Sequence, residues 1–142
     1  MDLPPGCRLS VEDKPAPAER GRIERELARY NAEFFERPTW QRLGVFVRNA
    51  NDELIAGLAA HTYAGWLFVE NLWVAERFRR RGLGSELLSQ AEQRARERGC
   101  HSAWLDTWSF QAPEFYPKFG YTVFGTLDYP PALKRLFLQK RL

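Results

Sequence analysis

The spacing of apolar residues along the chain predicts two long helices. In residues 18–35 and again in residues 83–98, apolar positions recur every three or four residues with charged residues between them. Pro38 is expected to end the first helix, and Gly99 suits the left-handed position just past the second. A short helix is also predicted over residues 112–119. The apolar stripes are Ile23, Leu27, Tyr30 and Phe34 in the first helix and Leu83, Leu87, Leu88, Ala91 and Ala95 in the second.

Shorter apolar runs between these helices predict β-strands. Asn49-Ala50-Asn51-Asp52 lies between two such runs and has the composition of a turn. The run 66–74 is apolar on both alternating faces, which is typical of a central strand covered on both sides. The order of elements indicates one domain of mixed α/β (α+β) class over residues 1–142. The predicted strands are residues 8–12, 44–48, 54–63, 66–74, 101–107, 121–126 and 135–142.

Composition and charge are those of an ordinary small soluble protein. The 142 residues are 44% hydrophobic and 27% charged, and the net charge is +3. This mild excess favours an anionic ligand such as a nucleotide cofactor but is too small to demand nucleic acid. Cys7 and Cys100 lack metal or redox spacing, so both are expected to be free thiols in a reducing compartment. Without a membrane-spanning run or a signal-peptide core, the chain is expected in the cytoplasm.

The segment Arg79-Arg80-Arg81-Gly82-Leu83-Gly84 is the first candidate for ligand binding. It separates an apolar strand from the clearest helix, so its glycines would let a diphosphate approach the unpaired N–H groups of the helix's first turn. The arginines would add charge-assisted contacts. The same string is compatible with a tight strand–helix turn that carries solvated arginines. The chain has neither a P-loop string nor a dinucleotide-binding G-x-G-x-x-G after an early strand.

Three segments follow one another in an ordered pattern. The first is the strand ending Leu72-Trp73-Val74, and the second is the arginine–glycine turn. The third is Ala112-Pro113-Glu114-Phe115-Tyr116-Pro117-Lys118-Phe119-Gly120-Tyr121. Together they resemble the GNAT superfamily of N-acetyltransferases, since the turn fits the family's [QR]-x-x-G-x-[GA] and the third segment is similar to its A-x-x-F-Y-x-K-x-G-[FY]. The resemblance is weakest before residue 54. It implies a small bacterial-type, single-domain member with a central sheet of about six to seven strands, splayed in the middle, and about three to four flanking helices.

The resemblance also implies that acetyl-CoA is the co-substrate, and no metal is expected to take part. The pyrophosphate would lie on the backbone of the turn, and the pantetheine arm would pair with the strand near Leu72 and Val74. Many family members carry Asn where this chain has Ser109, which can still donate a hydrogen bond. The residues expected to bind the cofactor are Leu72, Trp73, Val74, Arg79, Arg80, Arg81, Gly82, Leu83, Gly84, Ser85, Ser109, Ala112, Phe115 and Tyr116.

Two residues are the candidates for moving protons during acetylation of an amine. Tyr116 matches the family tyrosine proposed as general acid to the CoA sulfur, although outside the motif it would be interpreted as a core aromatic. Glu70 is the only charged residue in 66–74, so partial burial would suit it as the general base, acting through a water. The alternative for Glu70 is a structural ion pair, for example with an arginine of the first helix. A backbone N–H near Leu72 or Trp73 would hold the oxyanion.

Aromatic residues and carboxylates are the candidates for the acceptor site. By resemblance, the first helix and its following loop wall that site, and this composition would suit a cationic amine. The aromatics could equally be core, and Asp106 could be a cap or turn partner. His61 and His101 have no metal-ligand neighbours in sequence and are expected to be structural. The candidates are Tyr30, Phe34, Trp40, Glu70, Asp106 and Trp108.

The sequence therefore predicts an enzyme that transfers acetyl from acetyl-CoA to a primary amine. Direct attack in a ternary complex is expected because no cysteine or serine nucleophile constellation is evident. Two other interpretations stay open: a non-catalytic acyl-CoA-binding or sensor domain of the same fold, and a nucleic-acid-binding module built on the arginine run, which the near-balanced charge opposes. The acceptor would be a small-molecule or peptide amine, with neither nucleic acid nor membrane as partner. A homodimer is the default expectation.

Overall fold

Residues 2–35 and 40–142 are described by the computed structural model, which divides the chain into the units Met1–Arg37 and Pro38–Leu142. Each unit is built around its own secondary structure. No helix within the described residues combines the length and the apolar character needed to cross a membrane.

The first unit contains one long helix and no strand among its described residues. Helix α1 spans Pro17–Asn31 and continues into a 3-10 turn over Ala32–Phe34, so the predicted helix is confirmed with slightly different ends. Pro38, expected to end that helix, lies outside the described residues. The strand expected over residues 8–12 is wrong: this exposed segment is irregular. Prolines lie on both sides of it, and a proline has no amide hydrogen to donate to a neighbouring strand.

A six-stranded mixed sheet forms the second unit, in the order β1-β2-β3-β4-β6-β5. Adjacent strands run antiparallel except β3 and β4, which are parallel and are connected through a helix. The predicted α/β class and mixed sheet are therefore confirmed. The strands are β1 Gln41–Arg48, β2 Leu54–Tyr63, β3 Trp66–Val74, β4 Ser102–Trp108, β5 Thr122–Tyr129 and β6 Leu133–Arg141.

Helix α2, Leu83–Glu97, is the connection between β3 and β4. With α1 it gives two α-helices in the described residues, fewer than the three to four expected. The short helix predicted over 112–119 forms only a 3-10 turn, Tyr116–Phe119, which ends at Gly120 in a left-handed conformation. Two prolines in the predicted segment explain the difference, because each removes an amide donor that a longer helix would need.

The core lies between α2 and one face of the sheet. Leu87, Leu88, Ala91 and Ala95 of α2 are each at most 1% exposed, which confirms most of the predicted stripe; Leu83 is only partly buried. Burying a leucine side chain contributes roughly 1.5–3 kcal/mol, so this face fixes α2 on the sheet. Cys100 is buried beside this core and Cys7 is exposed, and both are free thiols as expected. The sheet's contribution to the core is Ala56, Leu58, Ala60, Leu67, Val69, Ala103, Leu105 and Leu138.

A buried polar cluster also joins α2 to β6. Glu92 of α2 is 5% exposed, and its carboxylate lies 2.7 Å from the Lys140 ammonium. The Tyr121 hydroxyl donates to the same carboxylate at 3.0 Å. A buried carboxylate is tolerated when it is paired and hydrogen-bonded in this way. The cluster therefore anchors the helix that begins at the arginine–glycine turn.

The sheet opens between β3 and β4. Their parallel pairing covers only Trp66–Val69 and Ser102–Leu105, after which β4 continues beside β6 and β3 beside β2. Ala60 of β2 pairs with Val69, whereas Ala59 pairs with Asn71, so Glu70 is the extra residue of a β-bulge. Bulges bend a strand and increase its local twist. The bulge at Glu70 therefore coincides with the separation of the strands, and the predicted splay is confirmed.

Candidate active site

A cleft of about 920 Å³ lies where β3 and β4 separate. Its walls come from the end of β3, the first turn of α2, the end of β4 and the segment that precedes β5. Three sequence segments that were predicted to act together therefore meet at one surface. The predicted site residues that line it are Glu70, Leu72, Trp73, Val74, Arg79, Arg80, Gly82, Leu83, Gly84, Ser85, Asp106, Ala112, Phe115 and Tyr116.

Strand pairing decides which backbone groups of β3 face this cleft. The Ala75 amide donates to the Ile55 carbonyl of β2 at 2.9 Å, so Trp73, two residues earlier, also belongs to a hydrogen-bonded pair with β2. Leu72 and Val74 belong to the alternate pairs, whose N–H and C=O groups point away from β2 and into the gap. The Val74 carbonyl accepts a hydrogen bond from Arg79 Nε at 3.0 Å, in agreement with that direction.

Leu72 and Val74 thus direct backbone groups into the gap, where an extended ligand would find them. Trp73 differs, because its amide is used in pairing with β2 and only its side chain, 49% exposed, reaches the cleft. An oxyanion in the cleft would therefore be held by the Leu72 amide, not by that of Trp73.

The arginine–glycine turn forms the N-terminal end of α2. Gly82 is the N-cap with φ of 82°, a left-handed conformation that favours glycine. Arg80 also has a positive φ, 63°. The first hydrogen bond of the helix runs from the Glu86 amide to the Gly82 carbonyl at 3.1 Å, which leaves the first-turn amides directed outward. Such an end can bind an anion through its N–H groups and helix dipole.

Gly84 is needed for a different reason from Gly82. A Cβ atom at Gly84 would lie 3.3 Å from Cζ of Phe115, closer than most carbon contacts in proteins. The aromatic ring of the third segment therefore packs directly on the turn of the second. Arg81, predicted to bind the cofactor, is exposed and is not part of the cleft lining.

Tyr116 lies at the start of the 3-10 turn and is half-buried in the cleft wall. Its ring packs edge-on against Phe115, with 5.1 Å between centroids, and against Tyr121 at 6.0 Å. Burial raises the pKa of the Tyr116 phenol, and the negative charge of Asp106 raises it further. The phenol is therefore protonated at neutral pH and can donate a proton inside the cleft.

Asp106 lines the cleft but already has a cationic partner. Its carboxylate accepts a hydrogen bond from Arg135 Nε of β6 at 2.9 Å, and its side chain is 17% exposed. The pairing is neither the cap nor the turn contact that was considered from the sequence. It leaves Asp106 as a negative charge near Tyr116 that is partly compensated by Arg135.

Glu70 is more exposed than its position in an apolar run suggested. Its side chain is 37% exposed, and it lies at the bulge, directly after the last residue of β3 that pairs with β4. Its partner is His61 of β2, whose Nδ1 lies 2.6 Å from Glu70 Oε1, and not an arginine of the first helix. The short hairpin offered a signal for this pair: counting back from Tyr63 opposite Trp66 puts His61 opposite Phe68, on the face that Glu70 shares.

Three other predicted residues of the second unit, Trp40, Trp108 and Ser109, are not part of the cleft lining. The Ser109 hydroxyl accepts a hydrogen bond from the Lys134 amide at 3.0 Å, so it is engaged with β6. Trp108 packs against Tyr129 with ring centroids 4.6 Å apart. Trp40 is half exposed and lies 5.1 Å from the His61 ring. Tyr30 and Phe34 belong to the first unit, where their rings are 5.7 Å apart. Phe110, whose ring was considered for the acceptor wall from the sequence, does line the cleft. Cleft-lining residues that the sequence did not indicate are Val69, Asn71, Phe78, Thr107, Gln111 and Lys118.

Comparison with known proteins gives consistent matches over most of the chain. Residues 9–121 match the Acetyltransferase (GNAT) family. A blasticidin-S acetyltransferase of Streptomyces morookaense is 46% identical over 92 residues, which are 63% of this chain and 68% of that protein. An acetyltransferase of Agrobacterium fabrum is 38% identical over 112 residues, 79% of this chain and 81% of that protein. The crystal structure of a Bacillus cereus acetyltransferase superposes with a TM-score of 0.85 at 32% identity, covering 94% of this chain and 98% of that one.

Proposed function

Because the chain belongs to the GNAT family of acetyltransferases, we propose that it acetylates the primary amine of a small cationic molecule by direct attack in a ternary complex. It is an acetyl-CoA-dependent N-acetyltransferase. The observation that carries the proposal is the opening between β3 and β4, which joins the free edge of β3, the N-terminal end of α2 and Tyr116 in one cleft. In this proposal residues 1–142 act as one catalytic domain.

The two backbone surfaces of the cleft suit the two halves of acetyl-CoA. The first-turn amides of α2 would bind the pyrophosphate, with Arg80 and Ser85 adding charge and a hydroxyl. The outward Leu72 carbonyl and Val74 amide would pair with the amides of the pantetheine arm, which leaves the Leu72 amide for the oxyanion. This arrangement would bring the thioester to the wall that contains Tyr116, since both surfaces border the same cleft.

The proposed reaction needs a base, an oxyanion donor and an acid. Glu70 would accept the proton of the substrate ammonium through a water, which frees the lone pair of the nitrogen. The amine then attacks the thioester carbon, and the Leu72 amide would stabilise the oxyanion of the tetrahedral intermediate. When the C–S bond breaks, Tyr116 would donate its proton to the departing sulfur, and the attacking nitrogen would lose its second proton to solvent, from which Tyr116 later regains one.

The charge and aromatic character around Glu70 support a cationic acceptor. The carboxylate is accessible, and Trp40 presents a half-exposed ring next to its partner His61. Carboxylates and aromatic faces both attract ammonium groups. The similar protein of Streptomyces morookaense acetylates the antibiotic blasticidin S, which supports a small-molecule acceptor here as well. The homodimer expected from the sequence stays a prediction.

A panel of amines tests this function. We expect CoA release with small primary amines that carry a second positive or strongly polar group. Their kcat/KM should be at least about tenfold higher than that of neutral amines of equal size, which is a difference of about 1.4 kcal/mol in transition-state binding. Lysine-containing peptides serve as the competing class. CoA release would be followed with a thiol-reactive dye. No release above the hydrolysis rate with any amine would contradict the proposal and favour a non-catalytic acyl-CoA-binding domain.

Substituting Gly82 tests the cofactor turn, and α2 supplies a matched control at its other end. Gly82 and Gly99 have φ of 82° and 84°, and a Cβ at either would meet no atom within 4 Å. Each alanine variant should therefore lose about 1–2 kcal/mol of stability from left-handed strain. Only Gly82→Ala should also weaken acetyl-CoA binding, by roughly tenfold, because the strained turn no longer aligns its amides. The rise in Tm with acetyl-CoA concentration measures this; equal affinities of the two variants would remove the turn from the cofactor site.

A further inference from the structure

We propose that Arg79 is a positioning residue for acetyl-CoA: its side chain bonds to the end of β3 and so holds the arginine–glycine turn at a fixed distance from the free edge of that strand. This inference rests on the proposed function, in which acetyl-CoA binds to both surfaces at once. The role depends on a hydrogen-bond donor and not on charge, so it differs from the phosphate contact that the sequence predicted for Arg79.

The hydrogen bond from Arg79 joins the two backbone surfaces of the cleft. Its Nε–H group donates to the Val74 carbonyl at 3.0 Å. That carbonyl lies on the free edge of β3, because the pairing of β3 with β4 ends at Val69. Arg79 is the first residue of the turn that leads into α2. One side chain therefore connects the strand edge with the segment that precedes the helix.

The acceptor of this bond is itself held from a second direction. The Val74 carbonyl and the Ala75 amide belong to one planar peptide group. The Ala75 amide donates to the Ile55 carbonyl of β2 at 2.9 Å, while the carbonyl on the opposite side accepts from Arg79. A peptide group bonded on both sides cannot rotate without breaking one of the two hydrogen bonds. The end of β3 is therefore a fixed anchor for the Arg79 side chain.

The connection between this anchor and Arg79 is short. It is the 3-10 turn Glu76–Phe78, in which the Phe78 amide donates to the Ala75 carbonyl at 2.8 Å and the Arg79 amide to the Glu76 carbonyl at 3.2 Å. Such short turns have poorer hydrogen-bond geometry than α-helices. The side-chain bond of Arg79 adds a third hydrogen bond, which closes the loop and ties its far end to the strand.

The three consecutive arginines of the turn have different surroundings. Arg79 directs its Nε at the strand, whereas Arg80 lines the cleft and its guanidinium has no partner among the residues that the structure describes. Arg81 is exposed and lies outside the cleft lining. A phosphate on the turn would therefore meet the guanidinium of Arg80, while the Nε of Arg79 is already engaged.

A fixed spacing between the two surfaces matters for a ligand that spans both. Acetyl-CoA carries its phosphates and its pantetheine arm on one chain, so binding of one half places the other at a high effective concentration next to its own surface. That gain is lost when the surfaces move relative to each other, because ordering them then costs part of the binding free energy. Loss of the Arg79 bond should therefore weaken acetyl-CoA binding even though neither surface loses a group that contacts the ligand.

Two substitutions of Arg79 separate the hydrogen bond from the charge. Glutamine has an N–H donor bonded to Cδ, as Arg79 has at Nε, but it is neutral; methionine has a methyl group at that distance along the chain. We expect Arg79→Gln to keep the affinity for acetyl-CoA within about threefold, since the charge of an exposed guanidinium is screened by salt. Arg79→Met should lose about tenfold, measured by calorimetric titration.

A spectroscopic signal reports the hydrogen bond without any ligand. The ¹³C chemical shift of the Val74 carbonyl depends on whether that carbonyl accepts a hydrogen bond, so it should change in Arg79→Met and stay close to that of the unsubstituted protein in Arg79→Gln. Arg80→Gln is the reference for a lost charge: it should weaken acetyl-CoA binding by roughly tenfold and reduce the dependence of the affinity on salt. Arg94→Met is the matched control, because Arg94 pairs with the exposed Glu97 at the other end of α2 and its loss should not affect binding.

Each outcome decides the role of Arg79. Equal losses of affinity in Arg79→Gln and Arg79→Met would show that the charge is what matters, and the positioning role would be wrong. Affinity equal to that of the unsubstituted protein in Arg79→Met would overturn it as well, as would a Val74 carbonyl shift that is the same in both variants. These measurements need no turnover. An absence of CoA release with every amine would contradict the proposed catalytic function and leave the comparison of the two Arg79 variants valid, so the two failures are distinguishable.

Discussion

Tyr116→Phe is expected to lower kcat by roughly 100- to 1000-fold and to leave the affinity for acetyl-CoA nearly unchanged. The substitution removes only the hydroxyl, so the packing of the ring on Phe115 and Tyr121 is retained. What is lost is the proton for the departing thiolate. Steady-state kinetics with a good acceptor, together with acetyl-CoA titration by calorimetry, would measure both quantities.

The surroundings of Tyr116 explain why the effect should be large. Burial and the charge of Asp106 both raise the pKa of its phenol, so the proton stays on the oxygen well above neutral pH until an anion develops nearby. A thiolate leaving group is such an anion. A water molecule that entered the cleft in place of the hydroxyl would not be held in position, and water is a much weaker acid than a phenol.

Tyr121→Phe is the matched control for Tyr116→Phe. Its ring is 6.0 Å from that of Tyr116, but its hydroxyl donates to the buried Glu92 carboxylate and not into the cleft. Losing that hydrogen bond should cost about 1–3 kcal/mol of stability and leave kcat within about twofold. Similar kcat losses in the two variants would contradict the acid role of Tyr116, because the common cause would then be a disturbed fold.

The largest stability effect is expected from Lys140→Met, which should lower the free energy of unfolding by about 3–5 kcal/mol. Lys140 is the cationic partner of Glu92, whose side chain is 7% exposed, at 2.7 Å. Without the ammonium, the buried carboxylate keeps one hydrogen-bond partner among the described residues, the Tyr121 hydroxyl. Urea unfolding followed by circular dichroism would measure the loss, which is a large part of the stability of a domain of this size.

The double variant Glu92→Gln, Lys140→Met tests the cause of that loss. A neutral amide can still accept the Tyr121 hydrogen bond and carries no charge to compensate. Most of the stability should therefore return, since the penalty lies in the unpaired charge and not in a missing contact. If the double variant is as unstable as Lys140→Met alone, desolvation of the carboxylate is not the reason.

Local features of the fold were predictable because they depend on neighbouring residues. The periodic stripe of α2 and the left-handed Gly99 after it, with φ of 84°, are both present. So is the turn after β1, where the Asn49 side chain accepts hydrogen bonds from the amides of Asn51 and Glu53 at 2.9 and 3.0 Å. Helical periodicity and turn chemistry act over a few residues, so the sequence alone contains them. The strand expected over residues 8–12 failed because a strand also needs a partner, which local sequence does not specify.

The candidate site was predictable only as far as its motifs reached. Their order indicated that the end of β3, the turn at Gly82 and the Tyr116 segment belong together, and the cleft brings all three to one surface. Polar contacts of single side chains were not predictable in the same way. Ser109 bonds to Lys134, and Asp106 to Arg135, because β6 lies beside β4 in the sheet. Strand β6 is separated from β4 by β5 along the chain, so the sequence pattern did not identify the two as neighbours.

The sequence by itself determined the helix and turn at the cofactor end of the cleft and the residue types available for catalysis. Only the tertiary structure decided how they are used. The bulge at Glu70 and the pairing of that residue with His61 depend on how two strands align, and a change of one residue in register would separate the pair. The opening between β3 and β4 depends on the whole sheet in the same way, because it arises where two strands follow different neighbours.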